Sequence, residues 1–209
     1  MAITSFDFTT LARNGRKVFH DWLPSLLLIG LMLIARSTLA DHYHVPSGSM
    51  EFALIPGDHV VVNKAAYGLR VPFTNQVIAL QENPQRGEVV IFDSPDSDIR
   101  LIKRVVAIGG DLVSVKNGRV LINGQFLATP ENPLVENYGS RQARLNLADG
   151  GGPDLPAMRV PEDHVLVLGD HRGNSRDGRF FGTVPISALY GRATAVFLRE
   201  SDGLLWQPL

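Results

Sequence analysis

Two hydroxyls flank a glycine in Pro46-Ser47-Gly48-Ser49-Met50. A serine hydroxyl becomes an effective nucleophile only when a neighbouring base takes its proton. The same residues also suit a plain turn, because serine and glycine supply local hydrogen bonds and permissive dihedrals. The base therefore decides between the two readings. Lysine can fill that role once burial drives off its proton, since desolvation lowers a lysine pKa by up to ~3–5 units. The lysines of the chain are Lys17, Lys64, Lys103 and Lys116. Lys103 lies inside the β-branched run from Ile99 to Ile108, where a two-residue period puts it on one face with Leu101, Val105 and Ala107. Lys17 precedes a long apolar segment, Lys64 ends a strand-like run and Lys116 abuts an Asn-Gly turn. Lys103 is the candidate base, with the alternative that its stem lies on apolar surface and its head reaches water.

The six histidines offer the commoner Ser–His–Asp device. His44 is near Ser49 and His171 follows Asp170, but triad members meet through the fold and not by adjacency. His42-x-His44 is a pair of metal ligands that no His-Glu-x-x-His motif or carboxylate cluster completes in the sequence. With no cysteine, disulfides, thiol nucleophiles and Cys-ligated zinc are excluded. A net charge of −1 provides no basic field for nucleic acid. No organic cofactor, metal or nucleic-acid partner is expected.

The elements that must position these groups are mostly strands. His59–Val62, Glu88–Phe92, Ile99–Ile108, His164–Leu168 and Ala193–Leu198 are short β-branched runs bounded by turn residues. Leu112–Lys116 and Arg119–Ile122 meet across Asn117-Gly118, the strongest short hairpin signal, and Asn123-Gly124 marks the next turn. The expected fold is mainly β, with antiparallel sheets. Residues 129–161, rich in Pro, Gly, Asn and charge, read as a long surface excursion or small subdomain.

Ahead of the serines, residues 22–40 form an apolar run interrupted by Arg36. A spanning helix needs ~20 apolar residues, so the run suffices if Arg36 snorkels to the interface. Arg13, Arg16 and Lys17 precede it, which orients residues 1–21 to the cytoplasm and residues 41–209 outside. Two rival readings are a cleaved secretory leader, with Thr38 and Ala40 at the cleavage site, and a helix buried in a protein core.

Four blocks in order resemble bacterial type I signal peptidases over nearly the whole chain. They are Pro46–Met50; Arg86-Gly87-Glu88-Val89-Val90-Ile91-Phe92; Lys103-Arg104-Val105-Val106 through Gly110-Asp111; and Gly169-Asp170-His171-Arg172-Gly173-Asn174-Ser175-Arg176-Asp177-Gly178-Arg179. The resemblance implies a membrane-bound serine endopeptidase with a catalytic domain of coiled antiparallel sheets and one N-terminal transmembrane helix. It would sit in the cytoplasmic membrane and cut secretory preproteins after small residues. Ser49 would be the nucleophile and Lys103 its general base. The Ser47 hydroxyl and the Ser49 N–H would hold the oxyanion. Ser175 would hydrogen-bond the Lys103 amine, and Asp177 and Arg179 would support that segment as an ion pair. Arg104, on the opposite strand face, would be structural.

The chain departs from the family pattern where Glu51-Phe52-Ala53-Leu54 stands in place of a following Pro-Thr-Leu, where His171 replaces Asn, and where Ala107 and Gly109 occupy positions often held by Gly and Pro. Those differences bear on substrate preference. An apolar surface near Ser49 that dips into lipid is a further expectation. The competing functions are a pilin-type maturation peptidase, a self-cleaving repressor, for which no DNA-binding module is evident, and an anchored β domain that binds a partner without chemistry.

Overall fold

The computed structural model describes residues 21–33, 39–70, 77–79 and 82–209. Arg13, Arg16, Lys17, Arg36 and Thr38, which figure in the expected orientation and cleavage site, lie outside the described residues. Residues 21–33 form a helix, α1, with Trp22, Leu26, Leu27, Ile29 and Met32 all exposed, so these residues do not pack as a core helix. No described helix is long and apolar enough to cross a membrane. Ala40, the last residue of the expected span, is not helical: it opens strand β1 (Ala40–His44) opposite Asn63.

The largest sheet has eight strands, all paired antiparallel. Besides β1 it contains β2 (Asp58–Asn63), β5 (Val89–Asp93), β6 (Arg100–Ile108), β14 (His164–Leu168), β15 (Val184–Pro185), β16 (Leu189–Arg199) and β17 (Gly203–Pro208). Their order is β1-β2-β16-β5-β6-β14-β15, with β17 also on β16. A second sheet of four strands joins β13 (Leu155–Arg159) to β7 (Leu112–Lys116), β8 (Arg119–Ile122) and β9 (Gln125–Phe126). A third joins β10 (Ala128–Thr129), β11 (Asn132–Asn137) and β12 (Gln142–Arg144), and a short pair joins β3 (Leu69–Arg70) to β4 (Val77–Ala79). The fold is thus mainly β and antiparallel, as the sequence pattern indicates.

Both Asn-Gly turns are hairpins of the expected kind. Asn117 and Gly118 have φ of 49° and 75°, and Asn123 and Gly124 have 52° and 82°, the positive pair that matches a two-residue loop to strand twist. Residues 129–161 are built into the sheets: they supply β11, β12 and β13, the last pairing with β7.

Strand β6 carries apolar residues on both faces and is buried almost throughout. Val105 and Leu101 pack with Phe92, Val165 and Leu189, while Val106 and Ala107 pack with Val113, Val120 and Leu168. A third cluster gathers Val45, Met50, Leu54, Val60 and Val196 around the segment that leaves β1. That cluster and β6 meet where the two candidate catalytic side chains lie.

Candidate active site

The segment after β1 stays pinned to its neighbour: Val45 N donates to Asp58 O at 2.8 Å and Gly57 N to Val45 O at 3.0 Å. A 3-10 turn, Gly48–Met50, follows. Met50 has no exposed surface and inserts into the core beside Leu54 and Val60, and Leu54 N donates to Met50 O at 2.9 Å. Burying that side chain contributes about 1.5–3 kcal/mol and fixes the turn bearing Ser49. Gly169 touches the turn from the other side: a Cβ there would collide with the Ser49 carbonyl oxygen and the Ser175 side chain. His171 N donates to that same Ser49 carbonyl at 3.1 Å.

Lys103 projects from β6, opposite Val90 of β5. Its Nζ lies 2.7 Å from Ser49 Oγ and donates to the Ile102 carbonyl at 3.0 Å. The lysine is 3% exposed and the serine 6%. Burial in this apolar surrounding pulls the lysine pKa from 10.5 to about 8, against the nearby carboxylates of Asp177 and Asp170, which favour the charged form. Ser47, exposed and two residues ahead, donates its hydroxyl to Ser49 Oγ at 3.3 Å. Lys64 is also buried, but its ammonium sits over the Tyr190 ring, 4.8 Å from the centroid.

The supporting residues differ from expectation in one respect. Lys103 bonds to Ser49 and Ile102, while the Ser175 hydroxyl is buried and has no hydrogen-bond partner. Asp177 and Arg179 form an ion pair in which both side chains are fully buried. Asp177 caps the short helix α2 (Gly178–Phe181) by accepting from Arg179 N. It also accepts from Arg179 Nε and Nη2, both at 2.8 Å, and from Gly169 N at 3.0 Å. The guanidinium reaches onward to the Gly151 and Arg172 carbonyls at 2.6 and 2.7 Å. One ion pair thus locks the strand end at Gly169 to the loops that surround the serine.

The partners of several site residues were not legible in sequence. Arg104 forms a bidentate pair with Asp170 at 2.8 and 2.6 Å and donates to Gly87 O at 2.7 Å, the structural role its strand face implies. Arg172 pairs with Glu136 where neither side chain has any exposure. The His171 ring lies between two carboxylates, Glu51 at 3.3 Å and Asp149 at 2.9 Å, in ion-pair range without hydrogen-bond geometry. Neither His44 nor the His171 ring bonds the Ser49 hydroxyl, so among the described residues the geometry offers the lysine and no histidine as its base. Asp170 and the Asp-His-Arg run were visible as a motif, but their partners at positions 104, 136 and 149 are far away in sequence.

A buried hydroxyl in contact with a depressed-pKa amine is the arrangement of a serine hydrolase with a lysine base. Residues 19–198 match the family model described as signal peptidase, peptidase S26. The chain belongs to that family. It is 32% identical to signal peptidase I of Pseudomonas fluorescens over 90% of this chain and 72% of that protein. It is 33% identical to signal peptidase I of Pseudomonas aeruginosa over 92% of this chain and 74% of that one. A crystal structure of a signal peptidase I from Enterococcus faecalis V583 aligns with a TM-score of 0.39 at 26% identity, covering 54% of this chain and 98% of that one. Membership of the S26 family makes the chain a serine endopeptidase.

Proposed function

We propose that this peptidase removes N-terminal signal peptides from exported preproteins, with Ser49 as nucleophile and Lys103 as general base. The observation that carries the reading is the 2.7 Å contact between Lys103 Nζ and Ser49 Oγ in a nearly dry setting. With the amine neutral, Ser49 Oγ attacks the scissile carbonyl carbon while its proton passes to Lys103. The resulting oxyanion accepts from the Ser47 hydroxyl and the Ser49 N–H. Each such donor is worth about 2.7–4 kcal/mol. Collapse of the tetrahedral intermediate breaks the C–N bond, and Lys103 returns the proton to the leaving amine. Water then attacks the acyl-enzyme with Lys103 again as base, which releases the signal peptide and restores the hydroxyl. Ser175, Asp177 and Arg179 hold the segment facing the amine. These steps call on no metal or organic cofactor.

The same reading puts the chain in the cytoplasmic membrane, with residues 1–21 cytoplasmic, 22–40 as anchor and 41–209 as the extracytoplasmic catalytic domain. Its support is physical. From Leu26 to Leu33 helix α1 carries only apolar residues and exposes the large ones, the surface of a helix solvated by lipid. On β17, Leu204 and Trp206 are exposed while Leu205, and Leu209 just after the strand, pack against the core. Gln207 Nε2 donates to Ala53 O at 3.4 Å, which keeps this strand beside the loop that follows Ser49, where Phe52 is also half exposed. An apolar rim of this kind suits phospholipid contact and a substrate presented at the bilayer surface.

The test is cleavage of a panel of preproteins by the detergent-solubilised enzyme, with the cut site read by mass spectrometry. Cleavage after the signal peptide that disappears in Ser49→Ala and Lys103→Ala, with circular dichroism unchanged, is the expected result. Undiminished cleavage by a folded Lys103→Ala enzyme removes the lysine from the mechanism.

A further inference from the structure

On the sheet formed by β1, β2 and β16, three side chains unrelated to the serine site converge. His44 of β1 stands directly opposite His59 of β2 in the antiparallel ladder, and Glu200 follows the end of β16 beside them. One ligand atom from each lies within 4.8 Å of the others. His44 Nε2 and Glu200 Oε1 are 3.7 Å apart, too far for a hydrogen bond but near the separation of two ligands on one ion. Metal–ligand bonds of about 2.0–2.2 Å at tetrahedral angles put neighbouring ligand atoms about 3.3–3.6 Å apart.

We propose that His44, His59 and Glu200 bind a divalent first-row transition ion, with zinc as the fitting representative. Two imidazoles and one carboxylate form a ligand set that zinc accepts with a water in the fourth position, whereas calcium and magnesium need oxygen cages. Of the sequence pair His42-x-His44 only His44 joins the cluster; His59 of β2 and Glu200, just beyond the end of β16, supply the other ligands.

The surroundings hold these groups in place. Asp58 and Arg199, the neighbours of His59 and Glu200, face each other in register and form a bidentate pair at 2.7 and 2.9 Å with the carboxylate fully buried. That pair fixes the backbone on both sides of the site and neutralises the nearest guanidinium. Gly57, at φ +89°, leaves the space that the Glu200 carboxylate fills, since a Cβ there would press on it at 3.0–3.2 Å. The His59 ring is flanked by His42, stacked at 6.5 Å, and by Phe197, edge-on at 6.0 Å. An ion here ties β1, which leads into the Ser49 turn, to β2 and to the end of β16.

The test uses tag-free full-length protein in detergent, stripped with chelator and titrated with zinc chloride by calorimetry. Uptake of one ion per chain with micromolar affinity, a matching rise in Tm, and indifference to magnesium are expected. His59→Gln and Glu200→Gln, which remove ligands outright, weaken binding by more than the roughly 10–100-fold that changes outside the ligand shell cost, while His164→Gln leaves it intact. Zinc should also shield His44 and His59 of the unaltered protein from diethyl pyrocarbonate, read by mass spectrometry, a measurement that does not depend on any variant folding. No stoichiometric uptake, or uptake with both histidines still modified at the zinc-free rate, overturns the proposal.

Discussion

Lys103 Nζ and Ser49 Oγ are 2.7 Å apart although 54 positions separate them in the chain. Two strand systems bring them together: β6 carries the lysine through the core, and the turn after β1 is clamped by Met50 below and His171 above.

Activity should rise with pH on a limb centred near 8. Burial lowers the lysine pKa to about 8, so about one amine in ten is neutral at pH 7. Below pH 8, kcat/KM climbs about tenfold per pH unit, and above it the rate levels off. A limb centred near 10.5 would mean that the lysine behaves as a solvated one.

Keeping that lysine dry also costs stability, with a definite sign. Its folded pKa lies below the unfolded one, so between about pH 8 and 10.5 the unfolded chain binds more protons and stability increases with pH. The cost is complete below pH 8, at most about 3 kcal/mol for a shift from 10.5 to about 8. Lys103→Met should therefore be inactive yet more stable than the parent at pH 7, with the advantage gone near pH 10.5. Urea titrations at the two pH values measure the difference.

Ser47→Ala should lower kcat by about 10²–10³, the effect of deleting one oxyanion donor. Because Ser47 is exposed and hydrogen-bonds only Ser49 Oγ among the described contacts, stability should move by no more than about 0.5 kcal/mol. A matched loss of stability and rate would assign Ser47 a structural role.

Asp177→Asn should destabilise the protein by about 3–5 kcal/mol, because it leaves the buried Arg179 guanidinium without its counter-charge. The Asp177 carboxylate also raises the Lys103 pKa, so the acidic limb of activity in whatever folded enzyme remains should shift to lower pH. Stability from urea midpoints and the pH profile report the two effects separately.

Trp206 should enter lipid. Trp22 and Trp206 are the only tryptophans, so Trp22→Phe isolates the β17 indole. In liposomes its emission should be blue-shifted and quenched by brominated acyl chains, in keeping with an exposed indole at an interface. Water-like, unquenched emission would place β17 away from the bilayer.

The sequence by itself determined what neighbouring residues control. Asn117-Gly118 and Asn123-Gly124 specify their hairpins because both positions tolerate positive φ, and β-branched runs specify β2, β5, β6 and β14 through two-residue alternation and burial. Lys103 stood out among the lysines because its apolar neighbours belong to its own strand. The tertiary structure alone decided where the apolar run gives way to β1 at Ala40, how residues 129–161 join the sheets, and that Asp177 and Arg179 are buried. It alone gave His171 its two carboxylates and left the Ser175 hydroxyl unpartnered. The physical reason is range. Backbone dihedrals and strand faces are set within a few residues, whereas the burial of a charge depends on a counter-charge delivered by distant chain, as Glu136 is to Arg172 and Asp170 to Arg104.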